Sequence, residues 1–306
     1  LDYNGPDSFT FKVNDGVVDS AIATVSITVT AVNDAPVATA QSVYVNKGIA
    51  KTITLTASDA DGNVPTYIVV TQPTHGILAG TAPNLTYTPT AGYLGADSLI
   101  FKVNDGTVDS AVATVSITVS EPLTMVALTP SLATPQSVIA TINLKATATG
   151  GAGLLYQFLV NGAVVRDYLA TDSYAWKPTI AGTNTLMVKA KDANAVVVTS
   201  AAVSYKIMPQ VTLVTSLTSP RPINTTITLT ANALGMAAPR YIFRISYKDR
   251  WGRTIYTVQQ AYGVANTLAW KPTVAGTYTI TVLARENAST ATYDATQSLS
   301  YVITPL

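Results

Sequence analysis

The 306-residue chain contains no cysteine and a single histidine. The lack of cysteine excludes disulfides, thiolate zinc sites and thiol redox chemistry, so each domain must be held together by its own core or by a metal ion. With His75 as the single imidazole, neither a histidine-based catalytic triad nor a multi-histidine metal site can form within the chain. No run of about 18 or more apolar residues is present, which predicts no membrane insertion in this segment.

Charged residues are also scarce, at 11% of the chain against about 25% in an average globular domain. The net charge of +1 hides a split between the two parts of the chain. Residues 1–121 carry 4 basic and 11 acidic side chains, a net charge of −7, and residues 122–306 carry the other 14 basic and 6 acidic ones, a net charge of +8. Divalent cations at the acidic end would explain this asymmetry. Opposite charges would also suit head-to-tail contact with other protein chains or with self, and the dispersed basic residues predict no nucleic-acid partner.

Two pairs of internal repeats divide the chain. DSFTFKVNDGVVDSAIATVSITV at residues 7–29 returns at residues 97–119 with four substitutions. AWKPTIAGT at residues 175–183 returns as AWKPTVAGT at residues 269–277, and SYKIMP at residues 204–209 returns as SYVITP at residues 300–305. These spacings indicate two kinds of module, each of about 85–95 residues, which is the size of an immunoglobulin-like sandwich.

Alternation of apolar and polar residues with period two runs through each module, as in ATVSITV at residues 113–119. Such segments, bounded by Gly, Pro, Asn and Asp, predict an all-β chain of tandem sandwiches. Leu1 is expected to be internal to a longer polypeptide, and residues 1–35 supply only two strands. Either upstream sequence has been removed or a neighbouring chain donates the missing strands. The predicted domains are residues 1–35, a truncated module, and the sandwiches 36–121, 122–209 and 210–306.

Acidic and amide side chains occur in three segments that a sandwich brings to one pole. The loop after the second strand, the loop between the last two strands and the entering linker meet there. Calcium prefers six to eight oxygen ligands from carboxylates, amides and backbone carbonyls. The alternative is turn chemistry alone, because Asp and Asn side chains also bond to nearby backbone N–H groups. The residues predicted to hold calcium (Ca2+) are Asn33, Asp34, Asp59, Asp61, Asp105 and Asp109.

The runs VNDAPVA, ASDADG, YTPTAGYLGADSLIFKVNDG and ATVSITV resemble the tandem cadherin-like repeats of large bacterial surface and adhesion proteins. That resemblance covers roughly residues 1–120 and implies a Greek-key sandwich. It also implies a calcium linker at VNDAP, with Asp59 and Asp61 as an Asp-x-Asp ligand pair. One departure is Asn46-Lys47-Gly48, where many such repeats have an acidic residue. A lysine ammonium near the joint would compete with a cation or replace it.

The C-terminal modules lack the acidic pattern and carry YQFLV or YIFRI, AWKPT and a terminal SY motif. These motifs resemble Ig-like sandwiches related to the triple-tyrosine modules of bacterial extracellular and sensor proteins. Trp176 and Trp270 occupy equivalent positions in the two repeats, which predicts a shared place in the core.

The segment SYKDRWGRTIY, residues 246–256, is nine residues longer than its counterpart around Val160-Asn161-Gly162 in the preceding module, because of an insertion. The insertion carries Lys248, Arg250, Trp251 and Arg253 at a predicted hairpin tip. Basic groups beside an exposed aromatic ring suit a glycan or an acidic partner. The alternative is a longer hairpin whose tryptophan folds onto its own strands.

No nucleophile-elbow, Walker or dinucleotide motif is present, so the sequence predicts that the chain is not an enzyme. The first hypothesis is a secreted or cell-surface, extracellular structural or adhesion segment, such as a stalk, adhesin or fibre subunit. A second is a carbohydrate- or partner-binding module that uses the 246–256 hairpin. A third hypothesis is that the modules are accessory domains of a larger secreted enzyme.

Overall fold

The structure is a computed structural model that describes residues 3–258 and 260–306. Every regular element in this part of the chain is a β-strand, which confirms the all-β prediction. The chain divides into two compact units, Leu1–Pro122 and Leu123–Leu306. Within the described residues no helix has the length and apolar character that would be needed to cross a bilayer.

Unit 1 begins with an antiparallel hairpin of strands β1 (Gly5–Phe11) and β2 (Ala23–Val29). Its pairing runs in one register from Gly5 opposite Val29 to Phe11 opposite Ala23. One face of the hairpin is apolar and exposed, and the ring of Phe11 is 46% exposed there.

The rest of unit 1 is a sandwich of two main sheets. One sheet has the order β4-β11-β10-β7, with β4 and β11 parallel, and the other has the order β5-β9-β8. The short pair β3-β6 lies beside them. The strands are β3 (Val37–Ala38), β4 (Gln41–Asn46), β5 (Lys51–Thr54), β6 (Ala57–Ser58), β7 (Thr66–Thr71), β8 (Gly76–Thr81), β9 (Asn84–Pro89), β10 (Gly95–Asn104) and β11 (Ala113–Ser120).

The core of this sandwich shows why the apolar face of the first hairpin is exposed. Strands β10 and β11 repeat the register of β1 and β2 at an offset of 90 residues, with Phe101 opposite Ala113. Phe101 is fully buried, whereas its counterpart Phe11 is not. The difference arises because Phe101 belongs to a core that includes Ile53 and Tyr87 from the facing sheet. Burial of these side chains is therefore a property of the whole sandwich and not of the hairpin sequence.

Unit 2 contains two sandwiches with the same strand order. The first has sheets β12-β14-β17 and β13-β20-β18-β15-β16, with β19 paired to β18. The second has sheets β21-β23-β26 and β22-β28-β27-β24-β25. The first set is β12 (Met125–Pro130), β13 (Gln136–Ser137), β14 (Ile142–Thr149), β15 (Leu155–Val160), β16 (Ala163–Leu169), β17 (Ser173–Trp176), β18 (Gly182–Lys191), β19 (Val197–Thr199) and β20 (Val203–Met208). The second set is β21 (Gln210–Thr215), β22 (Arg221–Pro222), β23 (Ile227–Leu234), β24 (Pro239–Lys248), β25 (Thr254–Val258), β26 (Thr267–Trp270), β27 (Gly276–Glu286) and β28 (Ala295–Thr304).

The repeated tryptophans lie in the cores of these sandwiches. Trp176 and Trp270 are each 6% exposed, so the prediction of a shared core position is confirmed. Trp176 packs edge-on against Tyr205 with ring centroids 6.0 Å apart, and Trp270 packs against Tyr301 at 5.9 Å. The repeat of AWKPT and SY motifs thus encodes one aromatic contact in each core.

Backbone contact joins the two sandwiches of unit 2. Only Pro209 separates β20 from β21. The N–H group of Ala181 donates to the carbonyl oxygen of Gly235 at 3.0 Å. Gly235 has φ of 79°, and a Cβ there would lie 3.1 Å from Cγ2 of Val138. Glycine is favoured at this position because its φ lies in the left-handed region and because a side chain would press against Val138 of the preceding sandwich.

Candidate functional site

The linker that enters the sandwich of residues 36–121 is hydrogen-bonded to two loops. The side-chain amide of Asn33 donates to Oδ2 of Asp105 at 2.7 Å. The backbone N–H of Asp34 donates to Oδ2 of Asp61 at 2.7 Å. Asp61 lies in the loop between β6 and β7, and Asp105 lies in the loop between β10 and β11. The structure therefore places linker and loops at one pole of the sandwich, and we call this network of side chains the joint.

Asp59 and Asn63 complete the joint. Oδ1 of Asp59 accepts hydrogen bonds from the backbone N–H groups of Asp61 at 2.9 Å and Asn63 at 3.2 Å. Within the described residues no group donates to the buried Oδ2 of Asp59. The Asn63 amide donates to Oδ1 of Asn33 at 3.4 Å. Sequence reasoning missed Asn63, although its place two residues after Asp61 in ASDADGN was a usable signal.

Asp105 uses its two oxygens differently. Oδ1 accepts from the backbone N–H groups of Thr107 at 2.6 Å and Val108 at 2.7 Å. The equivalent oxygen of Asp15 in the first hairpin makes the same two turn bonds. Because the pattern forms in both hairpins, it is local turn chemistry encoded by Asn-Asp-Gly. Only the bond from Asn33 to Oδ2 links Asp105 to the linker.

Asp109, the sixth predicted ligand, is engaged within its own hairpin. Its carboxylate pairs with the ammonium of Lys102 and accepts from the side-chain amide of Asn104 at 2.8 Å. Asp19 in the first hairpin makes the same contacts with Lys12 and with the amide of Asn14. Asp109 therefore closes its hairpin by a contact that does not involve the linker.

Lys47 does not lie near the joint. Its ammonium pairs with Glu121 at 2.7 Å, and its backbone N–H donates to the carbonyl of Ser120. Since β4 runs parallel to β11, Lys47 lies at the end of β11, whereas the loop containing Asp105 precedes the start of β11. The expectation that Lys47 competes with a cation at the joint is wrong, because about seven residues of strand, roughly 23 Å, intervene.

The joint has the donor atoms that calcium prefers, but their present arrangement is that of a hydrogen-bond network. Across residues 3–258 and 260–306, no three acidic or imidazole side chains lie close enough together to hold a metal ion. The amide of Asn33 and the N–H of Asp34 occupy the carboxylate oxygens that would face a cation. Oδ2 of Asp59, buried without a donor, is the oxygen most in need of a partner.

Hydrogen bonding makes the joint sensitive to acid. The Asn33 amide and the N–H groups of Val108 and Thr107 hold the pKa of Asp105 well below its ordinary value. A carboxylate with a depressed pKa stabilises the folded state above its unfolded pKa and loses that effect as the pH falls toward the folded pKa.

We therefore expect the melting temperature of the chain to fall as the pH is lowered below about 4. Replacing Asp105 with Asn should make this fall shallower, because Asn does not titrate and still accepts the turn bonds. Circular dichroism melts between about pH 6 and pH 2 would measure both slopes. Parallel curves for the two proteins would show that Asp105 does not contribute.

The second candidate site is the hairpin of β24 and β25. Asp249 organises its turn, since Oδ1 accepts from the N–H groups of Trp251 and Arg253, both at 2.9 Å. Oδ2 of Asp249 pairs with Nε of Arg253 at 2.8 Å. Trp251 is 64% exposed, and the guanidinium carbons of Arg250 and Arg253 lie 4.0 and 4.8 Å from its ring centroid. The interpretation in which Trp251 folds onto its own strands is therefore wrong, and Lys248 at the end of β24 is exposed as well.

Comparisons with known proteins support an Ig-like fold. Residues 33–118 match the family model described as the bacterial Ig domain. A comparison with curated proteins found no match. The matched family supports the Ig-like part of the resemblance inferred from sequence. The cadherin-like and triple-tyrosine resemblances, and the boundaries of the four predicted domains, stay predictions.

Three similar solved structures differ from the chain in sequence and in length. The fibronectin(III)-like modules of Clostridium thermocellum CbhA are 18% identical, with 59% of this chain and 94% of that one covered and a TM-score of 0.24. The eight N-terminal Ig domains of Down Syndrome Cell Adhesion Molecule are 9% identical, with coverages of 90% and 42% and a TM-score of 0.35. An endo-fucoidan hydrolase of glycoside hydrolase family 107 is 16% identical, with coverages of 38% and 22% and a TM-score of 0.22. The chain is built from tandem Ig-like β-sandwiches, and residues 33–118 are the part of it that matches the bacterial Ig domain.

Proposed function

We propose that the chain is a non-catalytic, extracellular structural or adhesion segment of a bacterial protein, in which the sandwiches act as spacers and the joints limit bending. The observation that carries this proposal is the joint, where the linker residues Asn33 and Asp34 are bonded to two separate loops. A linker held at two points loses hinge freedom. The repeated modules and the family match of residues 33–118 support a structural role.

We further propose that calcium binds at the joint and strengthens it. Asp34, Asp59, Asp61 and Asp105 would hold the ion, with Asn33 turning its amide oxygen inward. The unpartnered Oδ2 of Asp59 supports this assignment, as does the excess of acidic residues in residues 1–121. A bound ion would supply positive charge among carboxylates that otherwise repel one another.

Thermal melting with and without calcium tests the calcium proposal. Extracellular modules bind calcium with dissociation constants of about 10⁻⁴–10⁻³ M. Raising free calcium from zero to about 10 mM should therefore increase the melting temperature of unit 1 by about 5 °C or more, because the ion binds only the folded state. Asp59→Asn should abolish the increase while preserving the turn bonds made by Oδ1.

The matched control is Asp15→Asn, which changes another aspartate whose Oδ1 accepts two backbone N–H groups in a turn, but away from the joint. Its melting temperature should rise with calcium as in the unaltered chain. If calcium has no effect on the unaltered chain, direct hydrogen bonds alone hold the joint. If Asp59→Asn and Asp15→Asn lose the response equally, the ion binds elsewhere.

A further inference from the structure

Basic side chains follow one another along a single face of β24. Arg240, Arg244 and Lys248 are spaced by four residues, and alternate residues of a strand share a face. The intervening Phe243 and Ile245 are buried in the core, which assigns the basic residues to the outer face. Ile242 lies on that outer face between Arg240 and Arg244 and is buried as well, so Arg240 is set apart from the other two basic residues. The separation of the three along the strand is about 26 Å from first to last.

Neighbouring strands add to this face. Arg285 on β27 lies opposite Arg240 in the pairing register. Both are half-buried, since the guanidinium carbon of Arg285 lies 4.3 Å from the ring centroid of Tyr262 and Nε of Arg240 donates to Oδ1 of Asn287 at 2.9 Å. Tyr256 on β25 lies opposite Ser246, between the levels of Arg244 and Lys248, and its side chain is 76% exposed. Cross-strand partners share a face, so the exposed ring lies among the cations.

The hairpin turn continues the same pattern beyond β24. Arg250 and Arg253 stand at the tip, and both pack against Trp251. The sole acidic residue of segment 240–253 is Asp249, whose oxygens are engaged with Arg253 and with backbone N–H groups of the turn. The segment therefore presents positive charge without a free carboxylate to neutralise it. We define the basic face as Arg240, Arg244, Lys248, Arg250, Arg253, Tyr256 and Arg285.

We propose that the basic face binds a linear anionic polysaccharide, carrying sulfate or carboxylate groups. Guanidinium groups donate paired hydrogen bonds that match the geometry of such anions. Cations spread over about 26 Å of strand suit a chain that carries several charges along its length. This surface is separate from the joint and does not depend on the spacer function.

The contacts of Trp251 favour an anion over a neutral sugar or a nucleobase. Neutral sugars and bases stack on open aromatic faces. Here two guanidinium carbons lie within 5 Å of the ring centroid, so a sugar or base that stacked where they pack would have to displace them. The indole instead fixes the positions of two anion-binding groups.

A second copy of the chain is a poorer partner for the basic face. The acidic residues of unit 1 are largely engaged internally: Asp97 is buried, Asp105 bonds through both oxygens, and Asp109 pairs with Lys102. Freeing them would require breaking these contacts. The charges of an external polyanion form no such contacts beforehand, so none has to be broken for it to bind.

The preceding sandwich provides an internal comparison. Its β15 matches β24 in sequence, but Leu159 stands where the second has Arg244, and Asn161-Gly162 forms a short turn in place of the basic tip. The sandwich of residues 122–209 thus lacks the counterparts of Arg244 and of the basic tip.

Tryptophan fluorescence of the full chain gives a direct binding signal, because Trp251 is exposed whereas Trp176 and Trp270 are buried. Titration with dextran sulfate should change the emission of Trp251, and neutral dextran should not. Added salt should weaken the binding, as expected for exposed charges.

Matched variants locate the site. A triple variant should bind dextran sulfate about tenfold or more weakly, as measured by calorimetry. It combines Arg244→Gln, Lys248→Gln and Arg253→Gln. The control removes the same charge from the preceding sandwich through Lys189→Gln, Lys191→Gln and Lys206→Gln, and should weaken binding less than about threefold. Equal melting temperatures would show that both variants are folded.

Four outcomes would overturn the proposal. Equal losses in the two triple variants would show a general charge effect. Equal or tighter binding of polyglutamate would point to an acidic protein partner, and tighter binding of single-stranded DNA would point to a nucleic acid. A second copy of the chain would be the partner if the unaltered chain self-associated in sedimentation, failed to bind dextran sulfate, and lost its self-association in the basic-face variant.

Discussion

Replacing Asp97 with Ala should destabilise the sandwich of residues 36–121 by about 3 kcal/mol, because it leaves several buried donors without an acceptor. Asp97 is 9% exposed. Its carboxylate accepts from the N–H groups of Thr74, His75 and Ser98, each at 2.9 Å, and from the Tyr87 hydroxyl at 2.8 Å. Urea unfolding followed by circular dichroism would measure the loss.

The pKa shifts of Asp97 and Tyr87 are those expected when a buried carboxylate has a structural role. Burial acts to raise the pKa of Asp97, but its hydrogen bonds outweigh that effect and keep the pKa below the ordinary value. Burial and the neighbouring Asp97 raise the pKa of Tyr87. The acid is therefore ionised and the phenol neutral at neutral pH.

Asp7 is the matched control, because it occupies the same repeat position in the first hairpin and is exposed there. Asp7→Ala should change the free energy of unfolding by less than about 0.5 kcal/mol. Equal effects of the two substitutions would show that the network around Asp97 does not stabilise the sandwich.

Replacing Trp270 with Ala should destabilise the last sandwich by about 4 kcal/mol, the usual cost of removing a large aromatic core residue. The indole packs edge-on against Tyr278 at 5.0 Å and Tyr301 at 5.9 Å, so both rings would border the cavity. Differential scanning calorimetry would show the lower transition. Trp176→Ala should have a similar effect in the preceding sandwich.

Trp251→Ala is the control for Trp270→Ala, because it removes an indole that is not packed in a core. Because Trp251 is exposed at the hairpin tip, we expect a change of less than about 0.5 kcal/mol. If Trp251→Ala were as destabilising as Trp270→Ala, the contrast between core and surface tryptophans would be wrong.

Much of the fold could be predicted from repeats and period-two patterns. The near-identity of residues 7–29 and 97–119 predicted two equal hairpins, and their registers coincide. The shared AWKPT motif predicted the core position of Trp176 and Trp270. Local sequence was sufficient here because the same side chains form the same turn bonds wherever the segment occurs.

The details of the sites depended on contacts between distant segments. Sequence suggested six ligands at the joint, but Asp109 is held by Lys102 and Asn104, and Asn63 was overlooked. The place of Lys47 followed from the parallel pairing of β4 with β11, which no local pattern encodes. The sequence left the exposure of Trp251 open, because the ring could lie on its own strands or remain at the hairpin tip beside Arg250 and Arg253, as it does.

The measurement that tests the clamped linker most directly is hydrogen exchange of the Asp34 backbone amide, followed by NMR. This N–H donates to Oδ2 of Asp61, so it should exchange at least about tenfold more slowly than in an unfolded peptide. Asp61→Ala should remove the protection without slowing or speeding amides in β10. The account would be contradicted if the Asp34 amide exchanged at the rate of an unfolded peptide, or if its exchange rate were unchanged by Asp61→Ala.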